Sequence, residues 1–95
     1  MDTTYFLRHN TAEHRYEFDL GTAVAYIAYE EEGDTLRLTH TLVPKGFEGR
    51  GIAGELTRQT LEAIRAEHRR IIAECSYIDT WIRRHPEWEE IRVKE

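Results

Sequence analysis

Hydrophobic and polar positions alternate along the first half of the chain and recur at helical spacing along the second. Arg15-Tyr16-Glu17-Phe18-Asp19-Leu20 puts Tyr16, Phe18 and Leu20 on one face and Arg15, Glu17 and Asp19 on the other, the pattern of a half-buried antiparallel strand. A shorter strand is expected before it, from Tyr5 to His9, with the polar run His9 to Glu13 as the turn. Gly21-Thr22 makes a tight turn into Ala23 to Tyr29, which is apolar on both faces and rich in β-formers, as in a central strand. Glu30-Glu31-Glu32-Gly33-Asp34 then closes a hairpin. Thr35 to Val43 alternates again and puts His40 on an apolar face with Leu36, Leu38 and Leu42. Pro44 cannot donate to a ladder and ends the strand.

Beyond a glycine-rich turn, Ile52, Ala53, Leu56, Thr60, Ala63 and Ile64 form a stripe that predicts a helix from Gly51 to Glu67. Arg70 to Cys75 reads as a strand, parallel to Thr35–Val43 because a helix joins them in a right-handed crossover. Ser76 fits an N-cap with Asp79 three residues on, and Ile78, Trp81 and Ile82 give the second helix an apolar side. Pro86 stops that helix near His85 and opens one further turn. The fold expected is α+β: antiparallel strands leading into a β-α-β-α unit with one parallel strand pair. Its 95 residues suit one domain spanning positions 1–95.

Composition narrows the partners. A net charge of -5, with acids and bases interleaved, provides no basic footprint for nucleic acid or an anionic membrane. No apolar run approaches the roughly 18 residues of a membrane span. A single cysteine forms no internal disulfide and no secretory signal is evident, so the chain reads as cytoplasmic. The Glu30–Glu32 run lacks companion ligands at metal-binding spacing and reads as a solvated turn, with no metal expected. A small open sheet with exposed aromatics suits a monomer or a homodimer.

The chemistry centres on Val43 to Leu56, where a strand ends in glycines and a helix begins. Such turns cradle anions, because successive backbone N–H groups and the helix's first-turn donors face one concavity. Gly49-Arg50-Gly51-Ile52-Ala53-Gly54 matches the dinucleotide pattern literally, and Glu74 lies 20 residues beyond Gly54. A dinucleotide fold, however, opens on that strand, whereas here antiparallel strands come first and Pro44 to Glu48 intervene. No Gly-Lys-Ser/Thr follows, which excludes a P-loop.

The same turn resembles the signature of the GCN5-related N-acetyltransferases, Gln/Arg-x-x-Gly-x-Gly/Ala, with Glu48-Gly49-Arg50-Gly51-Ile52-Ala53 in that slot. Cys75-Ser76-Tyr77-Ile78, Trp81-Ile82 and His85-Pro86, together with His40-Thr41-Leu42-Val43-Pro44, are similar to the very small members of that superfamily. The resemblance runs from Arg15 to Trp88. It implies a parallel strand pair splayed around acetyl-CoA or another acyl-CoA, with the acyl group passed to an amine acceptor that the sequence does not identify. It places the pyrophosphate on Phe47, Glu48, Gly49, Arg50, Gly51, Ile52, Ala53 and Gly54, and the thioester near the backbone of Leu42 and Val43, with Cys75 and His85 beside it. Glu48 stands where the pattern has Gln or Arg, and Lys45, Arg50 and Arg58 are the cations expected to offset it.

Amide formation from a thioester needs a free amine, donors for the oxyanion and a proton for the leaving thiolate. His40, Cys75 and Tyr77 are the candidates for these roles. Larger relatives carry a tyrosine acid in the last helix; Ile82 falls there, beside Trp81, and Tyr77 is the nearest hydroxyl. Cys75, at a strand end before a helix, suits either an acyl-accepting thiolate or a small buried side chain. His85 suits either a cofactor contact or a bond to the last helical carbonyls. Two readings from other classes stand beside acyl transfer: a non-catalytic acyl-CoA sensor acting through a partner, and an interaction domain that binds no CoA.

Overall fold

The computed structural model describes residues 4–94. The alternating segments become β1 (Leu7–Asn10), β2 (Arg15–Asp19), β3 (Val24–Glu32) and β4 (Thr35–Leu42), and the second half supplies α1 (Ile52–Ala66), β5 (Arg70–Ala73), α2 (Ser76–Arg84) and a 3-10 segment, Pro86–Ile91. They build one five-stranded sheet in the order β1-β2-β3-β4-β5. Neighbours are antiparallel except β4 and β5, which are parallel and joined through α1. The mixed sheet and its crossover match the α+β expectation.

The expected turn at Glu30–Glu32 is instead strand. Arg37 grips Glu32 through Nε and Nη2, at 2.6 and 3.3 Å, and the pairing runs on to Glu32 and Thr35. The reversal falls at Gly33, whose φ of +65° is left-handed.

A larger departure lies in β4. Tyr29 faces Leu38 and Ala28 faces His40, so Thr39 is an extra residue on β4, a β-bulge. One added residue reverses the facing of everything after it. Leu36 and Leu38 are fully buried, but His40 and Leu42 are exposed, and Thr41 now lies on the face of buried Ile27. The expectation that His40 shares an apolar face with Leu36 and Leu38 is corrected by that bulge.

Tyr16, Phe18, Ala25, Ile27, Tyr29, Leu36, Leu38 and Ile71 from the sheet form one core with Ile52, Leu56, Leu61 and Ile64 of α1 and Ile78 and Ile82 of α2, and Trp88 and Ile91 complete it. Both helices therefore cover the same face of the sheet. On the other face Glu17 is only 1 % exposed, held by Arg8 at 2.7 Å, Arg15 at 3.0 Å and Asn10 at 3.1 Å. Burial alone would raise its carboxyl pKa; the hydrogen bonds from Arg8 and Asn10 and the charges of Arg8 and Arg15 outweigh that and hold it below the ordinary carboxylate value.

The start of α2 also differs from expectation. Cys75 is the N-cap, with extended backbone, and Ser76 is already the first helical residue. The Asp79 amide donates to the Cys75 carbonyl at 3.0 Å, while its carboxylate pairs with Arg83 at 3.2 Å and with Arg92. No Ser76–Asp79 capping box forms, because β5 ends at Ala73 and Cys75 must supply the non-helical turn into α2.

Candidate functional site

β4 and β5 part company at one point. The Leu38 carbonyl accepts from the amides of both Glu74 and Cys75, at 3.1 and 2.9 Å, and β5 then turns into α2 while β4 continues to Leu42. The opening beyond is flanked by Thr41 and Cys75, whose Oγ1 and Sγ lie 3.5 Å apart in a hydrogen bond. Cys75 is half-buried.

After Pro44 the chain makes a turn, with the Phe47 amide bonded to the Pro44 carbonyl at 3.1 Å, and reaches α1 through Gly49 and Gly51. Both have left-handed φ, +77° and +74°, and a Cβ on either would meet nothing within 4 Å. Left-handed glycines turn consecutive amides toward one side, and the space there is open. Gly51 is also the N-cap of α1, a 15-residue helix, and no side chain caps its first-turn donors. A cavity of about 220 Å3 sits on this turn, lined by Val43, Phe47, Glu48, Gly49, Gly51, Ile52, Ala53, Gly54 and Tyr77.

Most of the residues expected to hold a cofactor thus share one concavity. Arg50 is not among its lining; its guanidinium lies over the Phe47 ring, 5.1 Å from the centroid. Arg58, expected to offset Glu48, is instead tied to Glu55 and Glu62 on α1. Leu42 and His40 lie on the far side of the bulge, and among the described residues the His40 side chain has no hydrogen-bond partner. The His85 ring nitrogen Nδ1 lies 2.7 Å from the Trp81 carbonyl, and the ring stacks on the Trp81 indole at 3.9 Å and 18°.

Trp81 packs against the core as its place on the apolar side of α2 implies, but sequence reasoning missed that its indole nitrogen reaches the glycine turn. Tyr77 and Trp81 lie one turn apart on α2, with the C-cap His85 four residues further on, along the edge beside buried Ile78 and Ile82. That spacing was the available signal. A Cβ on Gly54 would lie 3.7 Å from the Tyr77 hydroxyl and 3.8 Å from the Trp81 indole nitrogen, so both donors meet the first turn of α1. Burial pushes the Tyr77 phenol above its ordinary pKa, the Arg84 charge opposing and Cys75 adding to it, so the hydroxyl keeps its proton at neutral pH.

A larger recess, about 530 Å3, lies between α2 and the last residues described, lined in part by Ile72, Ala73, Arg83, Glu89 and Arg92. Of the charges in its lining, Arg92 pairs with Asp79 and Glu89, and Arg83 with Asp79. Among the described residues no three His, Cys, Asp or Glu side chains are placed to hold a metal ion, and no helix is long and apolar enough to cross a membrane.

A mixed sheet whose parallel pair opens beside a glycine turn and a helix N-terminus defines an α+β protein. The particular family follows from comparison: the profile of the GCN5-related N-acetyl-transferase family matches residues 15–91, and the chain belongs to that family. It is similar to Protein NATD1 of Xenopus tropicalis, 35 % identical over 63 residues, which is 65 % of this chain and 58 % of that protein's length. Its fold is that of a GCN5-like protein from Staphylococcus aureus known from a solution NMR structure, with a TM-score of 0.71 over 95 % of this chain and 89 % of that one at 20 % identity.

Proposed function

We propose that this protein binds acetyl-CoA or another acyl-CoA and transfers the acyl group to an amine. One observation carries the reading: the 220 Å3 cavity on left-handed Gly49 and Gly51 at the head of α1. The residues fit the group, since the cavity offers backbone donors and a helix dipole to a diphosphate and Val43 and Phe47 as apolar wall. When bound, the thioester supplies the activated acyl group. The Val43–Gly54 turn holds the phosphates, the opening between β4 and Cys75 takes the pantetheine arm, and the backbone of Leu42 and Val43 donates to the thioester carbonyl. His40 is the candidate proton acceptor at that end of β4 and Cys75 the candidate nucleophile, while the Tyr77 hydroxyl lies at the phosphate end, on the turn. A reducing, cytoplasmic setting suits the single free thiol.

A second reading, an acyl-CoA-binding module without turnover, is favoured by one feature: among the described residues the side-chain partner of Cys75 is the Thr41 hydroxyl, and no histidine or tyrosine bonds to its sulfur. Calorimetric titration with acetyl-CoA, with desulfo-CoA as the thioester-free control, tests binding. Saturable binding that Gly51→Glu abolishes is expected, because a carboxylate there would enter the cradle. Absence of binding would remove both readings. Intact mass after incubation, and CoA release in an amine screen, then separate them: release far above hydrolysis removes the sensor, and Cys75→Ala with undiminished turnover removes a covalent step at that sulfur.

A further inference from the structure

The site poses an electrostatic problem. Glu48 puts a negative charge on the wall of a cavity read as a phosphate cradle, and of the cations that would offset it Arg58 is paired with Glu55 and Glu62 while Arg50 lies over the Phe47 ring, outside the lining. Two neutral donors approach the same turn from α2, Tyr77 on the cavity's lining and Trp81 beside it at Gly54. The Tyr77 hydroxyl and the Trp81 indole nitrogen both come within 3.8 Å of the Cβ position of Gly54, and among the described residues neither has a hydrogen-bond partner. Neither group is sealed from water, Tyr77 being 40 % exposed, so both are free to exchange a solvent partner for a ligand oxygen at the turn.

We infer that Tyr77 and Trp81 are side-chain donors to the diphosphate of the bound CoA, supplying from α2 the bonds that a polar residue at position 48 would have made. The inference rests on the acyl-CoA reading above. The geometry is prearranged: His85 stacks on the indole and bonds the Trp81 carbonyl, fixing the ring's plane, and Gly54 has no side chain to stand between the donors and the turn. Neutral donors also keep bonding to phosphate without pulling Glu48 into an ion pair across the cavity mouth, as a new cation would.

Trp81 and Trp88 are the only tryptophans in the chain, so their indole N–H signals in a 15N-labelled sample are easily told apart once Trp81→Phe removes one. Saturation with CoA should move the Trp81 indole proton downfield and leave Trp88, packed under Arg65, in place. Pantetheine, which lacks the diphosphate, should move neither. Tyr77→Phe and Trp81→Phe should each weaken CoA binding about tenfold or more, the loss expected for a hydrogen bond to a charged acceptor. If the wild type binds CoA while the Trp81 signal stays still and both Phe variants bind normally, this inference falls and the acyl-CoA reading stands. If the wild type binds no CoA, both fall.

Discussion

Glu17 shows how much a single residue depends on its neighbours' strands. It is as closed to solvent as the apolar core but only by its partners' side chains, and its nearest guanidinium, on Arg8, is 54 % exposed and returns to water if the carboxylate is lost. Glu17→Ala should therefore lose about the 1.5–3 kcal/mol of a charge-assisted hydrogen bond, less than the loss that follows when a partner charge is stranded in the interior. Because the folded pKa lies below the unfolded one, this stability is present above the unfolded carboxylate pKa and disappears as pH falls through the folded value. Chemical denaturation of wild type and Glu17→Ala should show the largest gap at pH 7 and a narrowing gap in acid; a constant gap would mean that the carboxylate's ionisation contributes nothing. The alternation of β2 placed Glu17 correctly on the face away from Tyr16 and Phe18. Its burial was not legible, because Arg8 and Asn10 reach it from β1, which sequence pattern placed only approximately, at Tyr5–His9 instead of Leu7–Asn10.

At the scale of the element, strands and helices followed the spacing of apolar residues closely, and errors came where one residue changes phase. The Ile52–Leu56–Thr60–Ile64 stripe is buried along α1 as expected. β4 misled because nothing in Thr39-His40-Thr41 marks an inserted residue; threonine and histidine are as acceptable in a regular strand as in a bulge. Deleting Thr39 should make the β3–β4 ladder regular through Ala28–His40 and Ile27–Thr41, keeping those facings but removing the bend in β4 at the point where β5 turns away. That variant is expected to lose several degrees of melting temperature and any CoA binding, measured by calorimetry, whereas Thr39→Ala, which keeps the count and loses only its bond to the Ala28 carbonyl, should do neither. Equal behaviour of the two would show that the bulge does not set the opening.

For the whole molecule, the crossover and the glycine turn were readable in the chain, and the convergence of α1 and α2 was not, since it follows from how Ile78 and Ile82 seat α2 against the core. Residues from positions 43 to 54 and from position 77 reach one cavity through that packing alone. The sheet itself has an unequal width: at Thr35 to Leu38, β4 has a strand on each side, and from His40 to Leu42 it is paired only with β3. Amide protons of the second stretch should exchange with solvent sooner than those of the first, because one-sided pairing opens by fraying and not by global unfolding. A thioester arm lodged against that stretch would slow their exchange selectively, in the way that docking a further strand protects an edge. The place where β5 turns away is in that sense a vacancy in the sheet, and hydrogen exchange with and without CoA would reveal whether the ligand serves as its sixth member.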